Sequence, residues 1–136
     1  MPNHYHVLVE TPAPNLSAGM QRLNSVYAQW FNDLYGCAGH AFERRFYSRL
    51  VESEGDLFEV ARYIVLNPVR AGICDDPAEW SWSSYRALAG KAPGAAFLTT
   101  GWLLAQFAPE PRHARAAFQT FIQEAPPHGE GSRLQP

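Results

Sequence analysis

His4 and His6 flank a single residue and run directly into Val7, Leu8 and Val9, an apolar, β-branched run of the kind found in buried strands. On a strand, residues i and i+2 share a face, which sets their Cβ atoms roughly 6.5–7 Å apart and lets two imidazoles close on one ion. Far along the chain, Tyr63 precedes Asn67 by four residues, one helical turn, so a phenol and an amide share a helix face. Two imidazoles and one amide oxygen form a three-ligand set with open positions. Such a set suits Mg²⁺ or Mn²⁺ that must still accept phosphate oxygen and water. An ion held there polarises a phosphodiester, and a tyrosine beside it is placed as a nucleophile. A phenol ordinarily titrates near about 10 and needs positive charge or a base to act at neutral pH. Arg62 and Arg70 are close in sequence, while no general base is identified. Taken singly, the His pair equally describes surface or core histidines, and Tyr63 a core tyrosine.

The elements that must position these residues follow from periodicity. Thr11 to Asn15, with two prolines, is a loop. The apolar residues Leu16, Met20, Leu23, Val26, Tyr27, Trp30, Phe31 and Leu34 recur at spacings of three and four and predict a helix over 16–35, with Asn15 or Ser17 as its cap and Gly36 in the left-handed position at its end. Residues 41–52 alternate and read as a second strand that presents arginine on one face. Ser53 caps a helix that carries Leu57, Val60, Ala61, Ile64 and Val65 and that Pro68 should end near Asn67. A compact segment with Trp80, Trp82 and Tyr85 follows, then short helices over 99–107 and 111–124. From Ala125 on, prolines and glycines predict a disordered tail.

Composition bounds the class. A chain of 136 residues with 46% hydrophobic and 18% charged residues is long enough for one core and is not a disordered sequence. The absence of any long apolar run, and of a basic region followed by an apolar one, makes a cytoplasmic protein the default expectation. Cys37 and Cys74 are far apart and read as two reduced thiols. A net charge of −2 argues against nucleic-acid binding by bulk electrostatics. Locally, however, Arg22, Arg44, Arg45 and Arg49 outnumber Asp33 and Glu43 between Met20 and Val51, and arginine forks well onto phosphate.

Four stretches together resemble a known family. These are Met1-Pro-Asn-His-Tyr-His-Val-Leu-Val-Glu-Thr-Pro12, Gly39-His-Ala-Phe-Glu-Arg-Arg-Phe46, Arg62-Tyr-Ile-Val-Leu-Asn-Pro-Val-Arg-Ala-Gly72 and Trp80-Ser-Trp-Ser-Ser-Tyr-Arg86. In this order they are similar to the REP-associated tyrosine transposases of the HUH single-tyrosine transposase superfamily, over roughly residues 1–90. The resemblance implies an α+β fold, a ferredoxin-like antiparallel sheet with helices over residues 1–91, and the apolar spacing beyond it adds a helical C-terminal extension over 92–136. It implies cleavage and rejoining of single-stranded DNA at palindromic hairpin repeats through a 5′-phosphotyrosine. By motif, Tyr63 is the nucleophile, and His4, His6 and Asn67 hold Mg²⁺ or Mn²⁺, with Glu10 and His40 as alternatives to Asn67. Arg44, Arg45, Arg49 and Arg70 are then expected on DNA phosphates.

The chain departs from the family in one respect. In the family the Met-Pro-Asn turn joins two strands, and a strand and a helix precede it. Here Met1 occupies the turn. A start codon placed too late or a remnant gene would each give this pattern, and the His-bearing strand would keep an exposed edge prone to self-association. Two rival readings stand beside the transposase: a non-catalytic single-strand binding remnant, and an unrelated His-x-His metal hydrolase that has no use for Tyr63.

Overall fold

The helices form where the sequence closes its own hydrogen bonds. A computed structural model describes residues 1–125, and among them are α1 (Leu16–Tyr35), α2 (Glu54–Arg70), α3 (Tyr85–Leu88), α4 (Thr100–Ala105) and α5 (Pro111–Gln123). The described chain divides into two units, one of Met1–Leu8 with the residues from Val51 on, the other of Val9–Leu50. The tail expected to be disordered lies, beyond Ala125, outside the described residues.

In the unit of Val9–Leu50, α1 runs as the stripe predicts. Gly36 stops it in the left-handed conformation at φ 62°, with its N–H bonded to the Asn32 carbonyl. Asn15 occupies the N-cap position without a side-chain bond. Downstream, Asn32 Nδ2 donates to the Gly39 carbonyl at 3.0 Å, and Phe42 packs on Tyr27 with ring centroids 5.6 Å apart. The segment after α1 is thereby folded back along it.

The other unit holds the larger core. Ser53 Oγ accepts from the Asp56 N–H at 3.2 Å and starts α2, as expected. Leu57, Ala61 and Val65 recur every four residues on its buried face, and Ala114, Phe118 and Ile122 do the same on α5. These stripes share one core with Tyr85, Leu88, Leu103 and Leu104. Phe107 meets Phe118 edge-on at 5.5 Å and Phe58 at 4.8 Å, which ties the α4–α5 connection to α2. Glu110 caps α5 by accepting from the His113 N–H at 2.8 Å, with Pro111 at the first helical position.

Two expectations are corrected. Among the described residues there is no strand, so the ferredoxin-like antiparallel sheet of the expected α+β fold is absent from them and the structure is helical. Residues 4–10 and 41–52 have the composition of strands, but a strand exists only when another segment takes up its N–H and C=O groups. Among the described residues neither stretch is joined into a sheet. Val7 and Val9 are half exposed, and Tyr47 and Leu50 are more than two-thirds exposed. The second correction concerns Pro68, which does not end α2. Proline removes one N–H and no carbonyl, and the helix continues through Arg70 to close with the Ala71 N–H on the Asn67 carbonyl at 2.9 Å. That extra turn matters for the site.

Candidate active site

The residues singled out by the sequence lie on the face of α2 that the core does not use. At about 100° per residue, Tyr63, Asn67 and Arg70 fall roughly opposite the stripe of Leu57, Ala61 and Val65. All three are half-buried. Because α2 continues past Pro68, Arg70 stands two turns beyond Tyr63, and its guanidinium carbon lies 5.8 Å from the centre of the Tyr63 ring. Arg62 takes the flank instead. Its guanidinium covers Phe121 at 4.5 Å and pairs with Glu59, so it braces α5 against α2 and does not face Tyr63.

The N-terminal segment supplies the imidazoles to this face. The His6 ring meets the Tyr63 ring edge-on with centroids 5.2 Å apart, and His6 Nε2 lies 3.3 Å from Asn67 Nδ2. The His4 ring meets the His6 ring edge-on at 5.1 Å. The two histidines thus converge without the strand expected to align them. His4 Nδ1 is engaged by Asn3 Oδ1 at 2.8 Å, a partner that sequence reasoning did not single out. Its only sequence signal is a short amide directly before the histidine.

The electrostatics favour the neutral form of His6. Burial lowers its pKa below the ordinary imidazole value, and the neighbouring His4 and the N-terminal ammonium act in the same direction. With the Asn67 amide donating to Nε2, the ring proton belongs on Nδ1. A neutral imidazole is the form that binds a metal.

The donor set fits a divalent ion of modest demands. Two imidazoles sharing an ion at metal–nitrogen distances of about 2.1 Å have ring centroids roughly 4.5–5.5 Å apart, which covers the 5.1 Å separation of His4 and His6. Rotating the Asn67 amide about its last bond brings Oδ1 to the place where Nδ2 now meets His6. Among the described residues no group of three or more His, Cys, Asp and Glu side chains is arranged to hold a metal. An ion here therefore depends on the amide and on water or phosphate for its remaining positions.

The structure brings together His4, His6, Tyr63, Asn67 and Arg70. The remaining candidates, Arg44, Arg45 and Arg49, are exposed and belong to the unit of Val9–Leu50, as do Glu10 and His40. Cys37 and Cys74 are free thiols, and burial with Glu79, Asp75 and Asp76 nearby raises the Cys74 pKa. No described helix is long and apolar enough to cross a membrane.

No curated protein and no solved structure matches the chain. Residues 1–67 match the model of a protein family described as transposase IS200 like. The matched stretch contains His4, His6, Tyr63 and Asn67. The first 67 residues of the chain are thus similar to the IS200-like transposases, and the match supports that family for this protein.

Proposed function

We propose that the chain is a transposase-type enzyme that cuts and rejoins single-stranded DNA at hairpin repeats through a covalent bond to Tyr63. The observation that carries the reading is the contact of His6 with both Tyr63, at 5.2 Å between rings, and Asn67, at 3.3 Å. It sets a phenol beside the groups suited to a divalent ion, on a helix face free of core duties.

In the reaction, Tyr63 Oη attacks the phosphorus of a phosphodiester. A bond from Oη to phosphorus forms, the bond from phosphorus to the 3′ oxygen breaks, and the 3′ oxygen leaves with a proton from solvent, while the phenol proton passes to water. The 5′ phosphate remains on Tyr63. Rejoining reverses the step when a 3′-hydroxyl attacks the phosphotyrosine. A Mg²⁺ or Mn²⁺ ion on His4, His6 and Asn67 would polarise the phosphate and offset its developing charge. Arg70 places a guanidinium 5.8 Å from the centre of the Tyr63 ring, where it supplies positive charge for the incoming phosphate. Burial favours the neutral form of His6, the form that presents a lone pair. Arg44, Arg45 and Arg49 serve as phosphate contacts along the strand.

The test mixes the protein, Mn²⁺ and labelled hairpin oligonucleotides and looks for an adduct that survives denaturing electrophoresis. The parent should form it. Tyr63→Phe keeps the ring and its packing against His6 but lacks the attacking oxygen, so it should lose the adduct and keep DNA binding. Adduct formation by Tyr63→Phe would place the nucleophile elsewhere. DNA binding without any adduct from the parent would favour the non-catalytic binding module.

A further inference from the structure

The bond between Asn3 and His4 ties together two exposed side chains and no element of the fold. Asn3 Oδ1 lies 2.8 Å from His4 Nδ1, and neither residue belongs to the core. What the bond fixes is a proton. An amide oxygen offers lone pairs and no hydrogen, so the ring nitrogen facing it must be the N–H of the imidazole. In the neutral ring the other nitrogen then carries the lone pair. Asn3 thus selects the Nδ1–H tautomer of His4 and leaves Nε2 as its free donor atom. Water alone makes the opposite choice, since an unpartnered histidine side chain prefers its proton on Nε2, and a hydrogen bond is what reverses it.

At His6 the second amide makes the same selection from the other side of the ring. Asn67 Nδ2 donates to His6 Nε2 across 3.3 Å, which marks that nitrogen as the one with the lone pair. One amide accepts from Nδ1 and the other donates to Nε2, so both rings are set to one tautomer. The rings meet edge-on with centroids 5.1 Å apart, within the spacing for two imidazoles on one ion. The orientation of the Asn3 amide decides whether His4 can take part. Turned over, it would donate to Nδ1, send the proton to Nε2 and leave the ring with no lone pair for an ion.

We infer that Asn3 is a positioning residue for metal binding, which through its bond to Nδ1 holds His4 in the tautomer that offers Nε2 to a divalent ion. The inference rests on the reading of His4 and His6 as ligands and is independent of the reaction at Tyr63. It gives Asn3 the part that outer hydrogen-bond acceptors play at metal-binding histidines in general.

Nitrogen NMR of the labelled, metal-free chain at about pH 8, above the ordinary imidazole titration near about 6.5, reads the His4 tautomer from its two ring shifts. The parent should carry the proton on Nδ1. Asn3→Ala should move the population to Nε2–H and weaken Mn²⁺ binding, measured by calorimetry, roughly tenfold, the low end of the range for outer partners because this bond is exposed. Asn3→Asp keeps an oxygen facing Nδ1 and should hold both the tautomer and an Mn²⁺ affinity within about threefold of the parent. A merely structural role would move the melting temperature and leave the tautomer alone. A parent with the His4 proton on Nε2 overturns the inference. So does an Asn3→Ala variant with the parent's tautomer or Mn²⁺ affinity, or an Asn3→Asp variant as impaired as Asn3→Ala. A parent that binds no Mn²⁺ overturns it together with the ligand assignment, whereas a chain that meets these expectations and forms no DNA adduct counts only against Tyr63.

Discussion

The imidazole of His6 and the side-chain amide of Asn67, 61 residues apart in the chain, meet at 3.3 Å between Nε2 and Nδ2. One end of this pair comes from an irregular N-terminal segment and the other from the face of α2 turned away from the core. The contact joins the two halves of the proposed metal site and holds His6 against Tyr63. Its removal should therefore be felt in metal binding before it is felt in stability.

His6→Ala should abolish Mn²⁺ binding measured by calorimetry or paramagnetic line broadening, and Asn67→Ala should weaken it roughly 10- to 100-fold, the range for loss of a ligand or its support. Neither residue belongs to the buried core, so the unfolding midpoint should shift little. Undiminished Mn²⁺ binding by His6→Ala would remove this residue from the ligand set.

The Arg70 guanidinium lies 5.8 Å from the centre of the Tyr63 ring, and in the proposed reaction its charge would serve the step at Tyr63. Arg70→Gln keeps most of the stem and removes the cation, so the rate of adduct formation at saturating DNA should fall about 5- to 10-fold, in line with roughly 1 kcal/mol for such a contact. Arg70→Lys should recover part of the loss. A fall in DNA affinity with an unchanged rate would make Arg70 a phosphate contact only.

The core of the larger unit turns on Phe118, which is 0% exposed and packs on Phe107 and Tyr85. Phe118→Ala should destabilise by about 3–5 kcal/mol, a loss that urea unfolding would read directly. Trp82→Ala, at an 84% exposed position, should change stability by less than about 0.5 kcal/mol.

Glu110 gives the α5 cap a pH dependence. Its carboxylate accepts the backbone N–H groups of His113 and Arg112, and these bonds hold its pKa below the usual carboxylate value. A depressed pKa in the folded state means that the cap's contribution is present above the ordinary Glu value and disappears as pH falls through the folded one. The melting temperature of the parent should therefore drop more steeply below about pH 4.5 than that of Glu110→Gln, which accepts the same bonds without titrating. Parallel melting profiles would show that the charge on Glu110 adds nothing to the cap.

The sequence alone determined whatever closes locally. Ser53 as the cap of α2, Gly36 as the stop of α1 and the four-residue recurrence of Leu57, Ala61 and Val65 were all legible, because a helix makes its bonds to residues four positions away. The grouping of His4, His6, Tyr63 and Asn67 was also legible, through the order of their motifs. The strands at 4–10 and 41–52 were not decided by their β-branched and alternating residues, since a strand depends on a remote partner that no local pattern contains. Tertiary structure likewise turned Arg62 onto Phe121, whereas α2 passes Pro68 through the local bond from Ala71 to Asn67 and so carries Arg70 over Tyr63. The place of Arg62 rests on a distant side chain within its reach, a quantity that exists only once the chain has folded.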